Sequence, residues 1–279
     1  MLKIGRGFFL LTRPVNVCIS FISIGVAILI CSPAGGAEHM VLACSVGAMI
    51  TAAANAINDV YDRDIDRINR PNRPLPSGLI TPQQALVFAL SLFVVGVIAS
   101  AWINRQAFLI ALVISILLYG YSAFFKRMML IGNIVVSVST ASAFVFGGAV
   151  VGHLRNAIFP AIFAFLMHFG REIIKDMEDV RGDRLYQART LPIRHGMTAA
   201  KWVTTIILLS LIGITLVPYL LQLYGMWYLV LVVFGVNTVL LYTVVSMWHH
   251  GNREQYSRLS ILLKADMLIG LVAIYAGRW

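Results

Sequence analysis

Nine apolar runs, each about 20 residues long and so able to cross a bilayer, divide this sequence. They cover approximately 8–31, 39–58, 82–103, 106–124, 131–151, 156–174, 199–221, 226–248 and 258–277. Hydrocarbon offers no partner to a backbone N–H or C=O, so each run must close its hydrogen bonds within itself, as a helix. The alternating polarity of barrel strands is absent. Of 279 residues, 59% are hydrophobic and 12% charged, and the mean hydropathy is +0.83. A soluble domain carries about 25% charged residues, and a core of this size could not enclose so much apolar surface. The sequence therefore predicts one all-α integral membrane domain over residues 1–279. A signal peptide would have a shorter apolar core and a small-residue cleavage site; the first run is long enough to span a bilayer and reads as a retained helix.

The net charge of +10 could suggest nucleic acid in a soluble protein. Here the basic residues sit between apolar spans, so they read as topology determinants, and no nucleic-acid partner is expected. With a cytoplasmic N-terminus, nineteen of the 22 Lys and Arg residues fall on the inner side; only Arg105, Arg155 and Arg278 fall outside. The acidic residues are equally uneven. Four lie between Asp59 and Asp66, and five between Glu172 and Asp183, each group following an even-numbered span. This predicts nine transmembrane helices in two four-helix halves plus a ninth, each half carrying one acidic motif toward the cytoplasm. The three cysteines, Cys18, Cys31 and Cys44, match no metal spacing and read as small apolar filler.

The first motif is Asn58-Asp-Val-Tyr-Asp62-Arg-Asp-Ile-Asp66. Residues four apart share a helix face. Asn58, Asp62 and Asp66 thus form one stripe, drifting by about 80° over two turns, while Asp59 and Asp64 are read as pointing elsewhere. Two carboxylates and an amide oxygen at a helix end suit Mg²⁺, which binds a few carboxylates together with water and substrate phosphate. The loop that follows, Asn69-Arg-Pro-Asn-Arg-Pro-Leu-Pro-Ser-Gly78, ends the helix and offers arginines able to grip phosphate. A solvated, charge-balanced helix end is the plainer reading, with Arg63, Arg67 and Arg70 interleaved. Carboxylates at a membrane are costly, however, and point to function.

The second motif is Arg171-Glu-Ile-Ile-Lys175-Asp176-Met-Glu-Asp179-Val-Arg-Gly-Asp183. Asp179 and Asp183 are four apart, with Asp176 in the same arc and Lys175 one turn earlier. Two carboxylate stripes on one membrane side could hold two or more Mg²⁺ ions bridged by a diphosphate. A third element, Tyr119-Gly-Tyr121-Ser-Ala-Phe-Phe-Lys126-Arg127, closes the fourth span. Lys126 could bind diphosphate oxygens, and Tyr119 or Tyr121 could hydrogen-bond one or face a carbocation. An aromatic belt with a positive-inside anchor accounts equally well for this stretch.

Arg13, before Pro14, is either a snorkelling anchor or a substrate contact. Lys264 and Asp266 lie inside the last span, where they could pair or line a cavity. His39, His153, His249 and His250 sit near span ends; His168 and His195 receive no role. The many Gly, Ala and Ser residues read as close helix packing.

These residues carry a family resemblance. The first motif and its Asn-Arg-Pro-Leu-Pro-Ser-Gly sequel look like the first signature of the UbiA prenyltransferases. Asp179 and Asp183 match the second, and Tyr121 to Lys126 resembles the family's Tyr/Lys stretch. The likeness extends over nearly the whole chain. It implies a UbiA-like helical bundle that transfers an isoprenyl group from its diphosphate to a lipid-soluble acceptor. It further implies that Asn58, Asp62, Asp66, Asp179 and Asp183 ligate Mg²⁺. Lys126, Lys175, Arg73, Arg13, Arg67 and Arg184 would serve the substrate phosphates, with Tyr119 and Tyr121 at the reacting end.

Within the family, Lys175–Arg184, Ala188–Ile193 and Lys264–Met267 are similar to the archaeal-type geranylgeranylglycerol-phosphate geranylgeranyltransferases of ether-lipid synthesis. Gln187 stands where that group usually has glycine. Chlorophyll-synthase-like and homogentisate-type enzymes, with aromatic or chlorophyllide-type acceptors, share much of both motifs.

A cation-coupled transporter is the rival from another class, but transporter sites lie near mid-membrane on broken helices, whereas these acids cluster at span ends. An intramembrane aspartyl protease needs Gly-x-Gly-Asp in a span; Val180-Arg-Gly182 before Asp183 does not supply it. The topology makes a testable demand. Cysteines introduced at Ser77 and Tyr186 should resist an impermeant thiol reagent in intact cells and react in inverted vesicles. Opposite labelling of the two sites would break the two-half arrangement.

Overall fold

In a computed structural model the described residues, 2–31, 39–185, 188–249 and 251–277, form helices joined by short loops, with no strand among them. Tyr186, Gln187, His250 and Arg278 lie outside them. The helices are α1 (Leu2–Leu11), α2 (Pro14–Cys31), α3 (Met40–Tyr61), α4 (Arg63–Asn69), α5 (Pro82–Ala101), α6 (Arg105–Ala123), α7 (Ile131–Val150), α8 (Ile158–Leu185), α9 (Leu191–Leu220), α10 (Met226–Leu231), α11 (Asn237–His249) and α12 (Arg253–Ala276). Among the described residues there are nine segments long and apolar enough to cross a membrane, α10 and α11 counting as one. The all-α, nine-span expectation is thereby met.

The expected boundaries shift where polarity and helicity part company. The first span begins at Pro14, not near residue 8, because the chain breaks at Thr12–Arg13. Arg13 takes φ +53° there, and Pro14 has no N–H with which to continue α1. The sixth span outruns its apolar window: α8 has 28 residues, about 42 Å at 1.5 Å per residue, against roughly 30 Å of hydrocarbon. Its charged last turns are helical but not apolar. The next helix starts at Leu191, well before residue 199, and Gly196, at φ +85°, interrupts it between a short polar entry and the apolar stretch. Only glycine occupies that conformation without penalty.

The chain groups into two compact units, Met1–Phe125 with Ser142–Ala157, and Lys126–Ala141 with Ile158–Trp279. In the first, α3 packs on α2, α5 and α6. Its face is alanine-rich, with Ala52, Ala53 and Ala56 buried, so backbones approach closely. Thr81 and Gln84 cap each other at the start of α5, with Thr81 Oγ1 accepting from the Gln84 N–H at 3.2 Å. In the second unit α8 packs on α9 and α12. Its core joins Ile173, Ile174 and Met177 to Leu208, Leu211, Leu240, Tyr256 and Leu263. The outward residues of the long helices stay apolar, as Val87, Val94 and Ile98 on α5 illustrate, which suits a lipid solvent.

Gly147 of α7 is a measure of this packing. A Cβ there would lie 2.5 Å from Ala27 Cβ, with the Ala27 and Ile28 backbone directly behind it. Nothing flexible can yield. Gly147→Ala is expected to lose about 1–3 kcal/mol, read as a lower unfolding temperature in detergent.

Candidate active site

The first motif is built by one helix that continues past its own end. The Asp62 N–H donates to Asn58 O at 2.9 Å and the Asp66 N–H to Asp62 O at 2.8 Å, so the i, i+4 ladder runs from α3 into α4. Asn58, Asp62 and Asp66 therefore stack as expected, and Asn58 Nδ2 donates to Asp62 Oδ2 at 2.9 Å. Asp62 and Asp66 are both buried. Burial pushes the Asp66 carboxyl above its ordinary value. Arg73 works against that shift, and the neighbouring Asp59 and Asp62 add to it.

Asp59 does not point elsewhere: it is 3% exposed and joins the stripe's edge. Residues i and i+7 lie only about 20° apart around a helix, so Asp59 and Asp66 share a side. Arg73 bridges them, donating to Asp59 Oδ1 at 3.2 Å and also to Asp66 Oδ2. Arg13 donates to the same Asp59 oxygen. Spacing thus contained the signal for Asp59, but its partner Arg13 is 46 positions away. Asp64 does face outward, pairing with exposed Arg63 and Arg67. Arg67 accordingly lies on the outer side of α4.

Two anchors hold these arginines in place. In the 70–80 loop, Leu75 and Ile80 bury themselves in the core of the first unit and fix the turn that carries Arg73. At the α1–α2 break, Asn55 Nδ2 donates to Thr12 O at 2.8 Å, beside Arg13. Tyr119 pairs with Tyr61, hydroxyl to hydroxyl at 3.2 Å. Tyr121 is half-buried in the last turn of α6.

The second motif lies on the overhanging end of α8. Glu172, Asp176, Asp179 and Asp183 fall on one arc. Glu172 is buried and clamped by Arg171 at 3.0 Å and Lys175 at 2.9 Å. Arg171 Nε also donates to Ser260 O of α12. Asp176 accepts from Asn133 Nδ2 of α7 at 2.8 Å. Asp179 is exposed and Asp183 half-buried; the charges of Asp179, Lys126 and Lys175 all bear on Asp183. Arg184 is exposed, one residue beyond Asp183. Asn133 was not singled out by sequence, since it reveals itself only through Asp176, 43 positions away; Glu172 was not either, although Arg171 and Lys175, which clamp it, lie on the same helix.

Among the described residues no three acidic, His or Cys side chains converge as a ready-made metal cage. The donor set nonetheless fits Mg²⁺, which completes its shell with water and substrate phosphate around one or two carboxylates. A stripe of two carboxylates and one amide carbonyl is a hard-oxygen set of that kind.

Nine long apolar helices among the described residues, with two acidic motifs at or near helix ends, mark a multi-span membrane protein. The UbiA prenyltransferase family profile matches residues 19–267, and the chain belongs to that family; it is a prenyltransferase. It is 39% identical to the digeranylgeranylglyceryl phosphate synthase of Methanopyrus kandleri, over 97% of this chain and 98% of the relative. The enzyme of the same name from Methanothermobacter thermautotrophicus is 37% identical, over 95% and 93%. A solved digeranylgeranylglyceryl phosphate synthase superposes with a TM-score of 0.83 at 32% identity, covering 100% of this chain and 99% of that one. A UbiA homologue from Archaeoglobus fulgidus, bound to GPP and Mg²⁺, shares the fold with a TM-score of 0.68 at 20% identity, covering 96% and 99%.

The Asn133–Asp176 bond makes a stability prediction. Asn133→Ala leaves a largely enclosed carboxylate without its amide donor and should lower stability by roughly 1–3 kcal/mol, measured by thermal unfolding of the purified protein.

Proposed function

We propose that this enzyme transfers a geranylgeranyl group from its diphosphate to the free hydroxyl of geranylgeranylglyceryl phosphate, forming the second ether bond of an archaeal-type lipid. The observation that carries this reading is full-length similarity, at 39% identity, to a digeranylgeranylglyceryl phosphate synthase. Aromatic or chlorophyllide acceptors are not favoured by the same comparisons.

Asn58, Asp62, Asp66, Asp179 and Asp183 are the residues that would hold Mg²⁺. When bound, the ion neutralises the diphosphate and so eases its departure. That a UbiA homologue from A. fulgidus is bound to GPP and Mg²⁺ supports a divalent metal in this reading. Lys126, Lys175, Arg13, Arg73 and Arg184 would supply cations for the phosphates, arginine through paired donors, whereas Arg67, on the outer side of α4, is left out of that set. Positive groups aimed at a leaving anion stabilise it most where charge develops. The allylic C–O bond breaks with its electron pair going to the diphosphate. The acceptor oxygen then bonds to that carbon and gives up its proton. Tyr119 and Tyr121 offer aromatic faces for the electron-poor carbon. Both acidic motifs face the cytoplasm in this reading, where an inner surface rich in arginine meets the acceptor phosphate and anionic headgroups alike.

The decisive assay supplies purified enzyme with labelled geranylgeranyl diphosphate and a choice of acceptors. Geranylgeranylglyceryl phosphate should be prenylated, its unphosphorylated counterpart much more slowly, and 4-hydroxybenzoate, homogentisate and chlorophyllide not at all. Transfer to an aromatic acceptor in preference to the glycerol phosphate would refute the substrate assignment. In the same assay Asp62→Ala, Asp66→Ala, Asp179→Ala and Asp183→Ala should each reduce turnover by about 100-fold or more, a loss of roughly 3 kcal/mol at the transition state, while the protein still folds. Full activity in excess chelator would count against the metal.

A further inference from the structure

Arg73 is placed between two carboxylates of unequal standing. Asp59 is the more enclosed, its Oδ1 accepts from both Arg13 and Arg73, and it lies at the edge of the Asn58–Asp62–Asp66 stripe. Asp66 is at the stripe's end and pairs with Arg73. A divalent cation held by the stripe would stand beside Asp66, the carboxylate with which Arg73 is paired. Arg73 then faces a cation on the carboxylate it was neutralising. Like charges a few ångströms apart in a partly enclosed site repel strongly, and a polyanion is what restores balance.

We propose that Asp59 is a positioning residue that tethers Arg73 while Arg73 exchanges partners: it neutralises Asp66 in the unliganded enzyme and turns to the prenyl diphosphate when the metal occupies the stripe. This rests on the reading of Asp66 as a metal ligand given above. The geometry suits such an exchange. Arg73 reaches Asp59 and Asp66 through a single nitrogen, Nη1, so the rest of its planar fork need not move far to meet a phosphate oxygen. Leu75 and Ile80, buried in the core, keep the loop itself in place. Arg13 secures Asp59 from the other side, so Asp59 retains a counter-charge when Arg73 turns. The exchange also selects against a lone cation, which must displace an arginine, whereas a cation arriving with diphosphate gives that arginine a new partner. Metal and diphosphate binding are then positively coupled.

The test measures binding by the purified enzyme, without turnover. Mn²⁺ is titrated as a reporter ion by electron paramagnetic resonance, alone and with an unreactive prenyl thiolodiphosphate. Arg73→Gln should bind Mn²⁺ alone several-fold more tightly, because its competitor for Asp66 is gone, and should bind the thiolodiphosphate about tenfold more weakly, because a charge-assisted contact is lost. A merely structural arginine would weaken both or neither, and either result overturns the proposal. Asp59→Asn should weaken thiolodiphosphate binding, with Asp59→Glu recovering part of it. If Asp59→Asn does not fold, Arg73→Gln still decides, since it leaves the Arg13–Asp59 pair intact. Asp66→Ala separates the two levels. Unchanged Mn²⁺ affinity in that variant removes the metal assignment itself. Lost affinity there, without opposite shifts in Arg73→Gln, removes only the exchange.

Discussion

Hydrocarbon will not hydrogen-bond a backbone, and the architecture follows from that single refusal. Each span closes its own N–H and C=O groups, and polar chemistry is left to the places where helices end or overrun the apolar zone. Both acidic motifs occupy such places. The first lies where α3 hands its ladder to α4 across Asp62; the second lies on the last turns of the 28-residue α8. A helical overhang offers carboxylates a rigid mount and a fixed periodicity while sparing them the full cost of burial in lipid.

Within the first motif, charge pairing does what a hydrophobic core cannot. Asp59 is almost wholly enclosed, and a lone ionised carboxylate there would be costly. Two arginines from opposite sequence directions make it tolerable. One comes from the α1–α2 junction, the other from the proline-rich loop after α4. The same pairs tie three chain segments to one point, so electrostatic balance and tertiary organisation in this region are one arrangement.

The nine helices were legible because apolar length is a coarse, additive property of local sequence. Their ends were not. The charged turns of α8 and the entry of α9 are helical without being apolar, and a hydropathy window stops where polarity begins. The stripe Asn58–Asp62–Asp66 was legible as four-residue spacing. Asp59 was misplaced because only that spacing was followed, whereas the seven-residue return brings it beside Asp66. Arg13 could be read two ways, as anchor or contact, until Asp59 was found opposite it. Asn133 depends on a partner in another helix, Asp176, 43 positions away, and Arg171, which pairs with its neighbour Glu172, is fixed by Ser260, 89 positions on. Pairings of that kind are decided by packing and leave no local trace.

The backbone at Arg13 has a consequence of its own. A non-glycine residue at φ +53° sits in a region that costs of order 1 kcal/mol, and the proline after it narrows the alternatives further. Local preference would put glycine or asparagine at this break, yet neither could span the distance to Asp59 with a cation. The junction's shape is thus imposed from outside, by a carboxylate on a neighbouring helix. Cut free as a peptide, residues 2–31 would relax into a different bend, and the angle between the first two helices belongs to the assembled protein, not to the segment that contains it.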